Sequence, residues 1–174
     1  MKALITINSV IGNIKRDKNL RQKYDELSAK AVVETIKIKR FESERVRMRK
    51  TSDKGTDIAL TLPQGTRLKH GDVIMLSEEK MLIVEIEPEN VAMVELKQNM
   101  HDDDIIKVPV VIGHTIGNLH RPIKLQENRI YFPIQIDSEI DMFKKLLGSV
   151  NEHIDIKSTM MVFEPDEDMS VHEH

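Results

Sequence analysis

Seven histidines carry most of the metal chemistry open to this chain, because the sequence contains no cysteine. Disulfides and thiolate metal sites are thereby excluded, so a transition metal would be held by imidazole, carboxylate, backbone or water. His114 and His120 frame the segment 113–122, GHTIGNLHRP, and His172 and His174 close the chain as His-Glu-His. The terminal pair is close enough in sequence to take one ion together. On a regular helix His114 and His120, six residues apart, point about 120° away from each other and would not chelate one ion as a pair. His70 precedes a Gly-Asp turn, His101 precedes an acidic run and His153 lies in a connection; all three are read as exposed polar residues.

Other chemistry finds less support. Neither a nucleophile elbow, a P-loop, an H-E-x-x-H pair nor a dinucleotide-binding glycine pattern is present. Asp102, Asp103 and Asp104 could bind Mg²⁺, but a run of carboxylates at a helix start is favoured by capping and the helix dipole. A metal-dependent hydrolase would need those carboxylates to converge with His114 and His120, and an intervening helix would hold them some three turns apart. The stretch 37–54 carries Lys37, Lys39, Arg40, Arg45, Arg47, Arg49, Lys50 and Lys54, which could face phosphates. Only Phe41 interleaves them for base stacking, and Glu42, Glu44 and Asp53 dilute the charge, so a solvated strand face is favoured over a nucleic-acid groove.

The elements that must position these histidines follow from periodicity. Apolar residues at 40% and charged residues at 32% describe a globular chain, and a net charge of −3 gives no general attraction to nucleic acid or acidic membranes. Aromatics are only 3%, so the core must come from Ile, Leu and Val, with the ten methionines as filler. The N-terminus lacks the apolar core and cleavage site of a signal peptide, and no run approaches a membrane span, so a cytoplasmic protein is expected. Period-two alternation gives strands at 33–38, 45–49 and 58–62, with Ile58, Leu60 and Leu62 on one face. Residues 15–30 are polar, a loop with a short helix. A helix is expected to start near 106–108, since Pro109 is tolerated only in a first turn, and to bury Ile105, Pro109, Ile112 and Ile116. It ends before Pro122. A hairpin around 126–128 follows, then a helix with Ser138 as N-cap and Gly148 just past its end, then a strand.

The fold class is therefore α+β. An all-β N-terminal domain is expected over residues 1–80 and a ferredoxin-like βαββαβ domain over 81–165. A flexible acidic, histidine-bearing tail is expected over 166–174.

Ile116-Gly117-Asn118-Leu119-His120 resembles the Ile-Gly-Asn-Arg-His motif of UreE-type urease accessory proteins. The stretch 45–74 is similar to the same family through Arg47, Thr51, Gly55, Asp57, Ile58, Ala59, Leu68, Gly71, Asp72 and Val73. The terminal histidines are a third shared feature, and the three occur in the family's order along residues 31–174. Leu119 replaces the usual Arg, the tail has two histidines rather than a long run, and the hairpin lacks the second histidine pair of some members. Residues 13–30 fit the family poorly and are expected to be an insertion. The resemblance implies a non-enzymatic metallochaperone that binds Ni²⁺ at a homodimer interface and delivers it for urease maturation. It implies an accessory GTPase and an apo-urease complex as partners, with neither nucleic acid nor membrane. Residue by residue, it gives the interface metal to His120, tail ligands to His172 and His174, and an auxiliary role to His114. A nitrogen and oxygen shell suits Ni²⁺, with Zn²⁺ or Cu²⁺ as substitutes in vitro.

Overall fold

Alternating apolar residues between closely spaced turns leave each strand one face to bury, and the N-terminal half resolves this with two sheets. The computed structural model describes residues 4–169. Strands β1 (Ile5–Ile7), β5 (Asp57–Thr61) and β4 (Arg47–Thr51) form one sheet in the order β1-β5-β4. β2 (Gly12–Asn13), β6 (Asp72–Leu76), β7 (Met81–Ile86) and β3 (Val33–Ile38) form the other, in the order β2-β6-β7-β3. Ile58, Leu60 and Leu62 are buried as their alternation requires.

The polar stretch near residue 20 is the helix α1 (Lys18–Ala29), so the N-terminal unit is not purely β. Asp17 caps it, accepting the N–H groups of Asn19 and Leu20 at 2.8 and 3.1 Å. Leu20 and Leu27 pack on Ile14, Val73, Met81 and Ile83. The helix is therefore part of the core rather than an appended insertion. The turn into β6 uses Gly71 at φ 88, followed by buried Asp72, which accepts from Asn13 Nδ2 at 2.8 Å and from Lys69 N–H at 2.7 Å.

A second carboxylate is buried in this unit. Glu34 shares the buried face of β3 with Ile36 and Ile38. It meets Lys80 Nζ at 2.6 Å and accepts from Ser52 Oγ at 2.6 Å. Burial pushes the Glu34 carboxyl up, but the Lys80 ammonium and the Ser52 hydroxyl outweigh it and hold the pKa at about 2, below the ordinary 4.5.

The chain divides between Glu87 and Pro88, later than the boundary expected at residue 80. The reason is β7, which lies between β6 and β3 and cannot leave that sheet. The second unit runs β8 (Glu89–Leu96), α2 (Asp102–Asn118), β9 (Lys124–Gln126), β10 (Arg129–Pro133), α3 (Glu139–Leu146) and β11 (Ile154–Met161). Its sheet has the order β11-β8-β10-β9, with every neighbouring pair antiparallel. Val108, Ile112 and Ile116 of α2 and Ile140 and Phe143 of α3 pack on one face, against Val94, Phe132 and Ile154. The rings of Phe132 and Phe143 lie 4.6 Å apart.

Four expectations change here. Helix α2 begins at Asp102 and carries Pro109 inside it. Asp102, Asp103 and Asp104 do occupy its first turn, where their charge complements the dipole. Of the expected stripe, Ile112 and Ile116 are buried, but Ile105 is 52% exposed, Pro109 is only half-buried and Val108 takes the inward place. Ser138 stands at the N-cap of α3 without a side-chain capping bond. The Glu139 carboxylate serves that end instead, accepting the N–H groups of Gln135 and Ile136 at 2.5 and 3.3 Å. Among the described methionines only Met81 and Met93 are buried, so methionine fills little of the core.

The opposite face of the second sheet is covered by a strap from the chain's end. Phe163, fully buried, packs on Val91, Met93 and Tyr131. Beyond it, Asp166 N–H donates to Ile123 O at 3.1 Å, and Ile123 N–H donates to Met169 O at 3.2 Å. Asp166 Oδ2 accepts from Leu125 N–H at 2.9 Å. Residues 166–169, expected to start a flexible tail, are thus tied to the segment preceding β9.

Candidate metal centre

Helix α2 ends in a Schellman closure. His120 N–H donates to Gly117 O at 3.0 Å and Arg121 N–H to Ile116 O at 3.4 Å. His120 occupies the position beyond the C-cap that glycine ordinarily fills, and its φ is 53°. An L-residue with a Cβ is strained in this left-handed region, although histidine tolerates it better than most. Its side chain is exposed, and Pro122 behind it is buried.

Arg121 turns the other way. Its Nη1 donates to Pro133 O at 2.6 Å and its Nη2 meets Glu139 Oε2 at 2.5 Å. Its guanidinium also lies 5.7 Å from the centre of the Phe143 ring. Burial pushes the Glu139 carboxyl up, but the Gln135 N–H and the Arg121 guanidinium prevail and hold it below the ordinary 4.5.

The two histidines of GHTIGNLHRP are in different states. His114 Nε2 lies 3.0 Å from Asn118 Nδ2; with the amide donating, that nitrogen is engaged and Nδ1 carries the proton. His120 stands two residues past the helix, so the separation reckoned on a regular helix does not describe the pair. Among the described residues no three His, Asp or Glu side chains lie where they could hold a metal ion together. The carboxylates 102–104 occupy the first turn of a 17-residue helix, about 25 Å long, and His120 lies just past its other end. They do not converge as a hydrolase would need. His172 and His174 lie outside the described residues.

Of the remaining histidines, His101 is exposed as expected, while His70 and His153 have side-chain partners. His70 Nδ1 accepts from Ile86 N–H at 3.2 Å, and His153 Nε2 lies 3.3 Å from Glu152 Oε1 and 3.7 Å from Asp104 Oδ2. Both are more constrained than the surface positions expected for them. In the basic stretch, Arg49 pairs with Asp57, Lys50 with Glu42 at 2.8 Å, and Arg45 with Glu42 at 3.7 Å. Much of that charge is neutralised within the unit.

The side of α2 opposite its buried stripe leads to His120. Ile106 is 73% exposed and Val110 62%. With Gly113 and Gly117 they follow spacings of four, three and four along one side of α2. A Cβ added at either glycine would meet nothing within 4 Å. The outward side of α2 is therefore an apolar stripe that ends at the strained histidine. The periodicity was present in the sequence, but the neighbouring set 105, 109, 112 and 116 has the same spacing.

Residues 7–87 match the family model described as UreE urease accessory protein, N-terminal domain, ending where the first unit ends. The matched range takes in residues 13–30. The chain is also 28% identical over 137 residues to the urease accessory protein UreE of Yersinia pestis (strain Pestoides F), covering 76% of this chain. These matches make the chain similar to the UreE-type urease accessory proteins. UreE of Yersinia pseudotuberculosis serotype O:1b (strain IP 31758) is similar to the same extent. The aligned 137 residues exceed the first unit, so the likeness to UreE continues into the second. The chain spans 58% of the length of these UreE relatives.

Proposed function

We propose that the protein is a nickel-binding metallochaperone, not an enzyme, that delivers Ni²⁺ for maturation of the urease active site. The ion is held at a homodimer interface by His120 of each subunit, with His172 and His174 completing the shell and His114 auxiliary. The observation that carries this reading is the placement of His120: an exposed imidazole in strained backbone, at the end of an exposed apolar stripe. One imidazole holds Ni²⁺ weakly. A two-fold axis beside α2 would bring a second copy to the same ion, because such an interface is self-complementary. The lack of any three-donor cluster among the described residues accords with a site that needs more than one subunit or the tail.

The strap supports the tail's part. Met169 is bonded to Ile123, three residues after His120. The βαββαβ order and antiparallel sheet of the second unit support a ferredoxin-like reading of it. The first unit is then the partner-binding one, for an accessory GTPase and the apo-urease complex. The cytoplasm is the compartment this role requires. No described helix is long and apolar enough to cross a membrane. Zn²⁺ and Cu²⁺ suit the same donors in vitro.

Calorimetry with Ni²⁺ tests the assignment. His120→Ala should lose the tight site, and removal of residues 171–174 should weaken it while leaving a dimer by light scattering. Unchanged stoichiometry and affinity in His120→Ala would sink the assignment. Ligating imidazoles must be neutral, so nickel should leave in mild acid; retention well below about pH 5 would contradict histidine ligation.

A further inference from the structure

The residue after His120 is fixed more firmly than a loop residue needs to be. Arg121 uses both terminal nitrogens, one on the Pro133 carbonyl at 2.6 Å and one on Glu139 at 2.5 Å, and its plane lies over Phe143. The acceptor is itself fixed, because the other Glu139 oxygen holds the N–H groups of Gln135 and Ile136. On the other side of His120 the Schellman bonds secure the helix end. A left-handed, non-glycine residue persists only where its surroundings over-determine it, and here both neighbours do so.

We propose that Arg121 and Glu139 form a clamp that positions His120: the Arg121 fork anchors the chain to the β10–α3 corner and fixes where the imidazole stands at the interface. Arg121 does not touch the metal; it acts through the backbone of its neighbour. The fork is specific to arginine, since a lysine in its place offers a single ammonium with no planar pair of donors. The clamp rests on the reading of His120 as the nickel ligand, and it explains how a ligand just outside a helix keeps a defined place.

The test measures Ni²⁺ affinity by calorimetry and the electron paramagnetic resonance spectrum of the Cu²⁺-loaded dimer. The variants are Arg121→Lys, Glu139→Gln and the double variant, each also made on His120→Ala. Arg121→Lys and Glu139→Gln should each weaken nickel binding about tenfold and broaden the Cu²⁺ spectrum, with the dimer mass unchanged. The double variant should be no worse than either single one. On His120→Ala neither change should weaken the residual binding further. Lowered thermal stability with unchanged nickel affinity and Cu²⁺ spectrum would show a merely structural clamp and overturn the proposal. Equal losses with and without His120 would overturn it too. If His120→Ala alone leaves nickel binding intact, the ligand assignment fails instead, and that arm shows it separately.

Discussion

His120 spends conformational stability on its position. Its φ of 53° is one a glycine would adopt freely. His120→Gly is expected to stabilise the second unit by about 0.5–1 kcal/mol in urea unfolding while removing the nickel site. A destabilised glycine variant would mean the left-handed turn is not strained. Glu34 gives a prediction of the opposite kind, where charge stabilises. Its pKa is lower in the folded chain, about 2 against an ordinary 4.5. Its contribution is therefore complete above pH 4.5 and disappears as pH falls toward 2. The difference corresponds to about 3 kcal/mol. Glu34→Gln should be less stable than the parent at neutral pH, and the gap should close across that window. Hydrogen exchange of β3 amides, measured against pH, would check it; a gap independent of pH would refute the linkage.

At the scale of elements, α2 carries more apolar surface than one core can use. Val108, Ile112 and Ile116 face inward, while Ile106 and Val110 face out. The outward side of such a helix is what the proposed dimer would cover. The strap 162–169 behaves as a separate element because Phe163 is its one deep anchor. Phe163→Ala should cost about 3–5 kcal/mol and speed amide exchange at Ile123 and Leu125. Unaltered exchange there would show that the strap's hold on that segment does not depend on Phe163.

For the whole molecule, the outward stripe of α2 and the exposed His120 belong to one proposed interface. Val110→Glu places a charge where two copies would meet. It should give a monomer by size-exclusion light scattering and lose the tight nickel site together with the dimer, without unfolding either unit. A Val110→Glu dimer with full nickel affinity would place the interface elsewhere. The two units divide at Glu87, and the first coincides with the matched UreE domain.

How much was legible follows from which interactions are local. Alternation located β3 and β5, turn chemistry located Gly71-Asp72, and the motif ending at His120 was visible in five residues. These depend on near neighbours and on residue type, which a sequence states directly. The sequence could not choose between the stripes 105–109–112–116 and 106–110–113–117, because only the position of the sheet decides which side of α2 is inward. Pro109 misplaced the helix start for the same reason: packing of Val108, Ile112 and Ile116 outweighs the break that a proline imposes on an isolated helix. Nor could it show Arg121 reaching Pro133 and Glu139, or Met169 returning to Ile123, since those contacts join segments far apart in the chain. The sequence by itself determined that a histidine follows this helix. Only the tertiary structure decided that it stands exposed, strained and clamped at the end of an apolar face, because those properties come from what packs behind it.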